Sequence, residues 1–240
     1  MRNRSSPSTA QGRSALPGLV AGLSLAVIPP VVVVAAFRVG WIVIAAGAAA
    51  WIAAVGVKLA VARATGLALL PASPASAALQ GFWSATSELG AAAMVFQWWL
   101  SDLTVAETLG FGFGAASIEI VALHIVGVVR GIRNPSLERR QEWQAGAARS
   151  LVVRHIFAVE RLAAALVHVG SRGLIYLAIT EHRLAFAVLA VTLFAAVDGV
   201  AVFGKAAKWK WLDPRVAWRF YMFVFALGCM QLGSYLTAVR

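Results

Sequence analysis

The sequence predicts an all-α protein, a polytopic transmembrane helical bundle of about seven spans, and three observations lead there. Hydrophobic residues make up 60% of the 240-residue chain and charged residues 13%, against roughly 25% charged in a soluble domain. The apolar residues come in blocks of twenty or more, long enough to cross a hydrocarbon layer roughly 30 Å thick at 1.5 Å per residue. The basic residues fall between those blocks instead of on one soluble face. The formal net charge of +11 therefore reads as membrane topology and not as a nucleic-acid surface.

Residues 1–16 form a polar tail carrying Arg2, Arg4 and Arg13. Such a charged start resembles that of a signal peptide, but the run behind it is too long and has no small-residue cleavage site, so an uncleaved first span is expected. A single transmembrane domain then occupies 17–240, with spans expected near 17–37, 41–63, 76–99, 104–130, 150–180, 184–204 and 216–238. Pro29 and Pro30 are expected to kink the first helix. The stretch Thr65 to Ala77, with Pro71 and Pro74, reads as a connection, and the polar stretch Gly131 to Ser150 as the longest loop. The single cysteine, Cys229, excludes a disulfide framework and a multi-thiolate metal site, and its place in an apolar block predicts a packing role.

With seven spans, Arg2, Arg4, Arg13, Lys58, Arg63, the Arg130 to Arg149 group and the Lys205 to Arg219 group all fall on one side. The other side receives little beyond Arg38, Arg183 and Arg240. The positive-inside rule puts the N-terminus in the cytoplasm and the C-terminus outside. Trp98, Trp99, Trp209 and Trp211 lie near expected helix ends, where interfacial anchors belong. The alanine and arginine bias suggests a bacterial host with a GC-rich genome, and hence the cytoplasmic membrane.

An ionisable side chain at membrane depth costs several kcal/mol unless paired or wet, which marks it as a functional candidate. Glu88, Glu119, His124, Glu160, Arg161, His168, Arg172 and Asp198 meet that description, and all fall in spans three to six. Arg161 and His168 are seven positions apart, so they lie about 20° from each other on a helix of 3.6 residues per turn. Glu160, eight before His168, is roughly 80° away and still able to face the same cavity. The bland alternative is a buried Glu–Arg pair that fixes packing. Glycines at every second position from Gly110 to Gly114 let a neighbouring helix approach closely and press Glu119 against protein. His124 and Tyr176 read as packing residues, and His155 and His182 as interfacial. Asp198 has no charged neighbour in sequence and must find a partner on another helix or stay protonated.

In this order the motifs resemble those of the YhfC family of proposed intramembrane proteases, distant relatives of the CAAX-prenyl protease and bacteriocin-processing superfamily. The resemblance covers roughly Gly81 to Val200. In that family one helix carries paired glutamates and a following arginine, the next Gly-x-Gly-His-Gly-Gly-x-Glu, the next Glu-Arg and then a histidine, and a later one His-x-x-x-Asp or Asn. Glu160, Arg161 and His168 match the third element. Ser87 and Glu88 stand at the paired glutamates, Ala91 at the arginine, Ala115 at the glycine motif's histidine, and Phe194 before Asp198. The resemblance implies peptide-bond hydrolysis in or near the bilayer by Glu88, Glu119, Glu160, Arg161, His168 and Asp198, with a membrane protein or lipopeptide as substrate.

A catalytic zinc site needs three protein ligands and an open position, and His168 is the one histidine aligned with a motif. The cofactor is left open between zinc and none. A metal-free route would use Glu119 or Glu88 as general base, with His168 or Arg161 stabilising the oxyanion. Two other functions fit the same residues: a non-catalytic pseudoprotease that binds membrane proteins, and a small proton-linked transporter. The oligomeric state is left open.

Overall fold

The computed structural model describes residues 16–67, 70–133 and 137–240, so the tail expected over 1–16 lies outside the described residues except for Leu16. Among the described residues there are nine helices and no strand. They are α1 (Leu16–Phe37), α2 (Trp41–Thr65), α3 (Pro74–Trp98), α4 (Val105–Arg133), α5 (Leu137–Arg149), α6 (Leu151–Arg154), α7 (Ile156–Thr180), α8 (Leu184–Ala206) and α9 (Pro214–Ala238).

Six of them, α1, α2, α4, α7, α8 and α9, are long and apolar enough to cross a membrane. The protein is therefore a multi-pass membrane protein. The remaining long helix, α3, is as long as α2, at 25 residues, but carries Gln80, Ser84, Ser87, Glu88 and Gln97, which lower its hydropathy. Its outer face is nonetheless apolar: Leu79, Phe82 and Met94 are each about half exposed. Its start is set locally by Pro74 in the first turn and by a capping box between Ser73 and Ser76.

Helix α7 is the axis of the bundle. It packs against α9, α4, α8, α1 and α3, and 67% of its apolar window is buried, against 22% in α1 and in α8. Helix α4 fits closely between α2 and α7 because small residues line both contacts. A β-carbon added to Gly114 would stand 2.0 Å from the Ile44 carbonyl oxygen, and one added to Gly47 would stand 2.0 Å from that of Phe111. On the other side Gly112 faces the Val169 backbone in the same way. The close approach expected from the glycine run is thus met from both helices. Phe96, Phe111 and Tyr176 join α3, α4 and α7 at the far end, and the Tyr176 hydroxyl accepts from Leu103 N–H at 2.7 Å. Tyr176 does more than fill space: it clamps the α3–α4 connection.

Three expectations need correction. Gly131 to Ser150 is not a loop, because α5 occupies Leu137–Arg149 and seats Gly146 against the Leu212 backbone, beside Val153. The fifth span begins at Ile156 and not at 150, since His155 leaves the helical region and Ser150 caps the separate turn α6. Cys229 packs against no protein core and lies on the exposed face of α9. Trp209 and Trp211, in the connection between α8 and α9, pack at tilted and edge-on angles against each other and against Phe203 and Phe220, under Gly204, while Trp98 and Trp99 at the end of α3 are exposed. The hydrogen-bonded helix α1 runs through Pro29 and Pro30.

Candidate active site

Polar side chains from five helices meet in the bundle interior. Glu88 on α3 is 4% exposed, and each of its carboxylate oxygens accepts from a cation, Lys58 Nζ at 2.8 Å and Arg172 Nη2 at 3.2 Å. Glu119 on α4 is likewise held twice, by Arg161 Nη1 at 2.7 Å and by His168 Nε2 at 2.5 Å. The second Arg161 nitrogen, Nη2, reaches Glu160 at 2.6 Å. Ligand atoms of Glu88, Glu119 and His168 lie within 4.8 Å of one another, so the two halves form one network.

Local structure explains the convergence. Ser84 and Glu88 are four apart and share a face of α3, and Arg161, His168 and Arg172 share the inward face of α7. Both arginines of α7 are nearly fully buried, and an arginine buried in apolar surroundings must be paired. Glu88 and Glu119 are the partners that α3 and α4 supply. Arg172 Nη1 also donates to the His168 carbonyl at 3.4 Å and to Ser171 Oγ at 3.3 Å. Phe194 on α8 covers this region, with its ring 5.8 Å from the His168 ring and 5.8 Å from the Arg172 guanidinium carbon.

Asp198 joins through Ser84, whose hydroxyl donates to its Oδ2, while Lys58 Nζ donates to the same hydroxyl at 3.0 Å. Five of the six residues expected from sequence are thus central. The sixth, Glu160, sits at the margin with its side chain 41% exposed, held by Arg161 and not turned fully inward. His124 is a packing residue as expected, with its Nδ1 on the Ile120 carbonyl and its ring edge-on to Phe157. His155 and His182 are exposed near helix ends.

Sequence reasoning missed Lys58 and Ser84. The distribution of charge along the sequence places Lys58 at the membrane surface, yet α2 continues for seven residues beyond it. That places the α-carbon of Lys58 about 10 Å inside the end of the helix at 1.5 Å per residue. The spacing of Ser84 to Glu88 was the available signal for the serine.

The network can be tested as a zinc site on its charges. Glu88, Glu119, Glu160 and Asp198 carry four negative charges against three positive charges on Lys58, Arg161 and Arg172. Every oxygen of Glu88 and Glu119 already faces a cation or the His168 N–H. A divalent ion on Glu88, Glu119 and His168 would have to displace those partners and leave buried arginines unpaired. These residues do not fit a zinc site.

Among the described residues five buried side-chain atoms have no partner, and two of them, His168 Nδ1 and Arg161 Nε, belong to this network; the others are on Trp51, His124 and Gln231. A carboxylate only accepts, so Glu119 fixes the imidazole proton on Nε2 and leaves a free lone pair on Nδ1 in the neutral ring. The Arg161 Nε–H is a free donor. A base and a cationic donor, both unpartnered, therefore occur on one face of one helix. No family model, no characterised protein and no solved structure matches this chain.

Proposed function

We propose that the protein is a YhfC-like intramembrane peptidase that hydrolyses a peptide bond of a membrane protein or lipopeptide without a metal. The observation that carries this reading is the pair of unpartnered buried atoms, His168 Nδ1 and Arg161 Nε. Buried polar groups are nearly always paired, and an unpaired one calls for an explanation, a catalytic role among them. Each oxygen of Glu119 and Glu88 already accepts from a cation or from His168, which lowers its basicity, whereas His168 Nδ1 has no partner, so the base role is given to His168. Glu119 orients the imidazole and stabilises the imidazolium formed when Nδ1 takes a proton from the attacking water. Arg161 Nε–H then donates to the oxyanion. Arg172, held by Glu88, adds positive charge to the same region. The N-terminus is assigned to the cytoplasm and the C-terminus to the outside of the cytoplasmic membrane on the distribution of basic residues.

The test compares membrane-protein N-termini in cells producing the wild type, His168→Ala or Glu119→Gln at matched, folded levels. New termini in or beside membrane spans should appear with the wild type alone. His168→Ala should lower cleavage at least 10²-fold, roughly the size of one general-base contribution, and Glu119→Gln should lower it as well, because the imidazolium loses its counter-charge.

A second reading is a pseudoprotease that binds membrane proteins. It is favoured by the near-complete pairing of the network and by Phe194, a ring covering His168 where the family carries a polar residue. Identical N-terminal profiles from wild type and both variants would establish it over the first.

A further inference from the structure

The spans α8 and α9 are joined by the short connection 207–213, so Lys205 to Arg219 lies at one surface of the membrane, and α7 starts at that same surface with Ile156. Helices α5 and α6 pack onto this end. Gly146 sits against the Leu212 backbone, and Trp143 and Leu212 close over Val153, Ala217 and Tyr221. Arg149, Arg154, Lys208, Lys210, Arg215 and Arg219 are thereby gathered at one end of the bundle, all exposed. The acids that α5 and the connection place among them are Glu142 and Asp213, and Asp213 is occupied in capping α9. Among the described residues none of the six cations has an ion-pair partner.

The cations are held in place. Arg149 Nε donates to the Ala145 carbonyl at 3.0 Å and Arg154 Nε to the Ala147 carbonyl at 3.3 Å. Each guanidinium is fixed through that one nitrogen, and its two terminal nitrogens have no described acceptor. Such a planar fork matches the oxygens of a phosphate. The lysines stand on a folded connection, in which Ala207 N–H donates to the Phe203 carbonyl at 2.7 Å and Trp209 N–H to that of Gly204 at 2.9 Å. Lys208 between them takes a left-handed φ of 54°. A charged array fixed before its partner arrives loses less entropy on binding.

We infer that this end of the protein binds the anionic headgroups of phospholipids in its own membrane. The outward face of α9 selects lipid over a soluble polyanion. Arg215 and Arg219 are one helical turn apart and share that face with Trp218, Met222 and Phe225, all exposed. Along one stripe the helix thus passes from cations through an indole to apolar side chains, the order in which a lipid passes from headgroup to acyl chain. The inference does not depend on the hydrolytic reading.

The test places the full chain in phosphatidylcholine vesicles and measures, by electron paramagnetic resonance, how much of a spin-labelled phosphatidylglycerol or phosphatidylcholine is immobilised by the protein. Phosphatidylglycerol should be preferred at least about fivefold, the effect of roughly one basic residue near a charged lipid surface. The combined substitution Lys208→Gln, Lys210→Gln, Arg215→Gln and Arg219→Gln should abolish the preference. Arg149→Gln with Arg154→Gln should reduce it, which keeps the proposal testable where the fourfold variant fails to fold. Arg183→Gln, at the opposite membrane surface, should leave it intact. Added salt should weaken the wild-type preference, because exposed charges are screened. Equal immobilisation of the two lipids by the wild type, or a preference that both multiple variants retain, would overturn the proposal. Binding of polyglutamate or a short oligonucleotide by a wild type without lipid preference would also overturn it and assign the surface to a soluble partner.

Discussion

At the residue scale the interior is governed by pairing. Glu88 is shared by Lys58 and Arg172 from a position that is 4% exposed, so its removal takes the paired carboxylate from two cations at once. Glu88→Ala should destabilise the protein by about 3–5 kcal/mol, the usual cost of breaking a buried pair from one side. The second substitution Lys58→Met should return part of that loss, because it removes one of the stranded charges. Thermal unfolding of the two single variants and the double variant measures the coupling, and additivity would mean that the 2.8 Å contact carries no weight. The residues of this network were legible in the sequence where they are ionisable and mid-span, as Glu88, Glu119, Arg161, His168 and Asp198 are. Their partners were not. Nothing in the one-dimensional order says that Arg161 chooses Glu119 on another helix as well as its neighbour Glu160, or that Lys58 turns inward from the last third of its helix.

At the scale of the element, helix ends and helix contacts obey different parts of the sequence. The α2–α4 contact depends on Gly47 and Gly114, where an added β-carbon would meet a backbone oxygen at 2.0 Å. Backbone cannot turn aside as a side chain can. Gly114→Val should therefore force the helices apart and destabilise the protein by about 1–3 kcal/mol, the usual cost of overpacking, and it should displace Glu119 one turn further along α4. Gly56, with open space around it, is the matching control: Gly56→Val on α2 should leave the thermal midpoint nearly unchanged. The start of α9 is set by Asp213, whose carboxylate accepts from the Arg215 and Val216 N–H groups. Those bonds, the Arg215 one foremost, hold its carboxyl below the usual carboxylate range. A carboxyl depressed on folding contributes stability that is complete above its unfolded value and is lost as pH falls through the folded one. Asp213→Asn should retain a cap but flatten this acid limb, which thermal melts at neutral pH and below the ordinary carboxylate range would reveal. Spans with unbroken apolar runs were readable to within a few residues. Helix α5 was not, because LERRQEWQAGAAR has too few apolar residues to give a hydropathy signal.

At the scale of the whole molecule, the parity of the crossings decides where the C-terminus lies. Helix α3 is the one long helix that falls short in hydropathy, and the residues responsible include Ser84 and Glu88, which form the interior network. A span that supplies polar groups to a buried site must lose apolar content on that face, while its outward face keeps Leu79, Phe82 and Met94 for lipid. Its 25 residues extend about 37 Å at 1.5 Å per residue, enough for the hydrocarbon layer. Counting α3 as a crossing gives seven, and the two termini then lie on opposite sides of the membrane. A reporter active only in the cytoplasm should work when fused to the N-terminus and fail when fused after Arg240, while a reporter active only outside should do the reverse. Activity of the cytoplasmic reporter at both ends would mean six crossings, with α3 lying outside the hydrocarbon. Glu88, buried among protein groups in either case, would then pair with Arg172 outside the hydrocarbon and not at membrane depth.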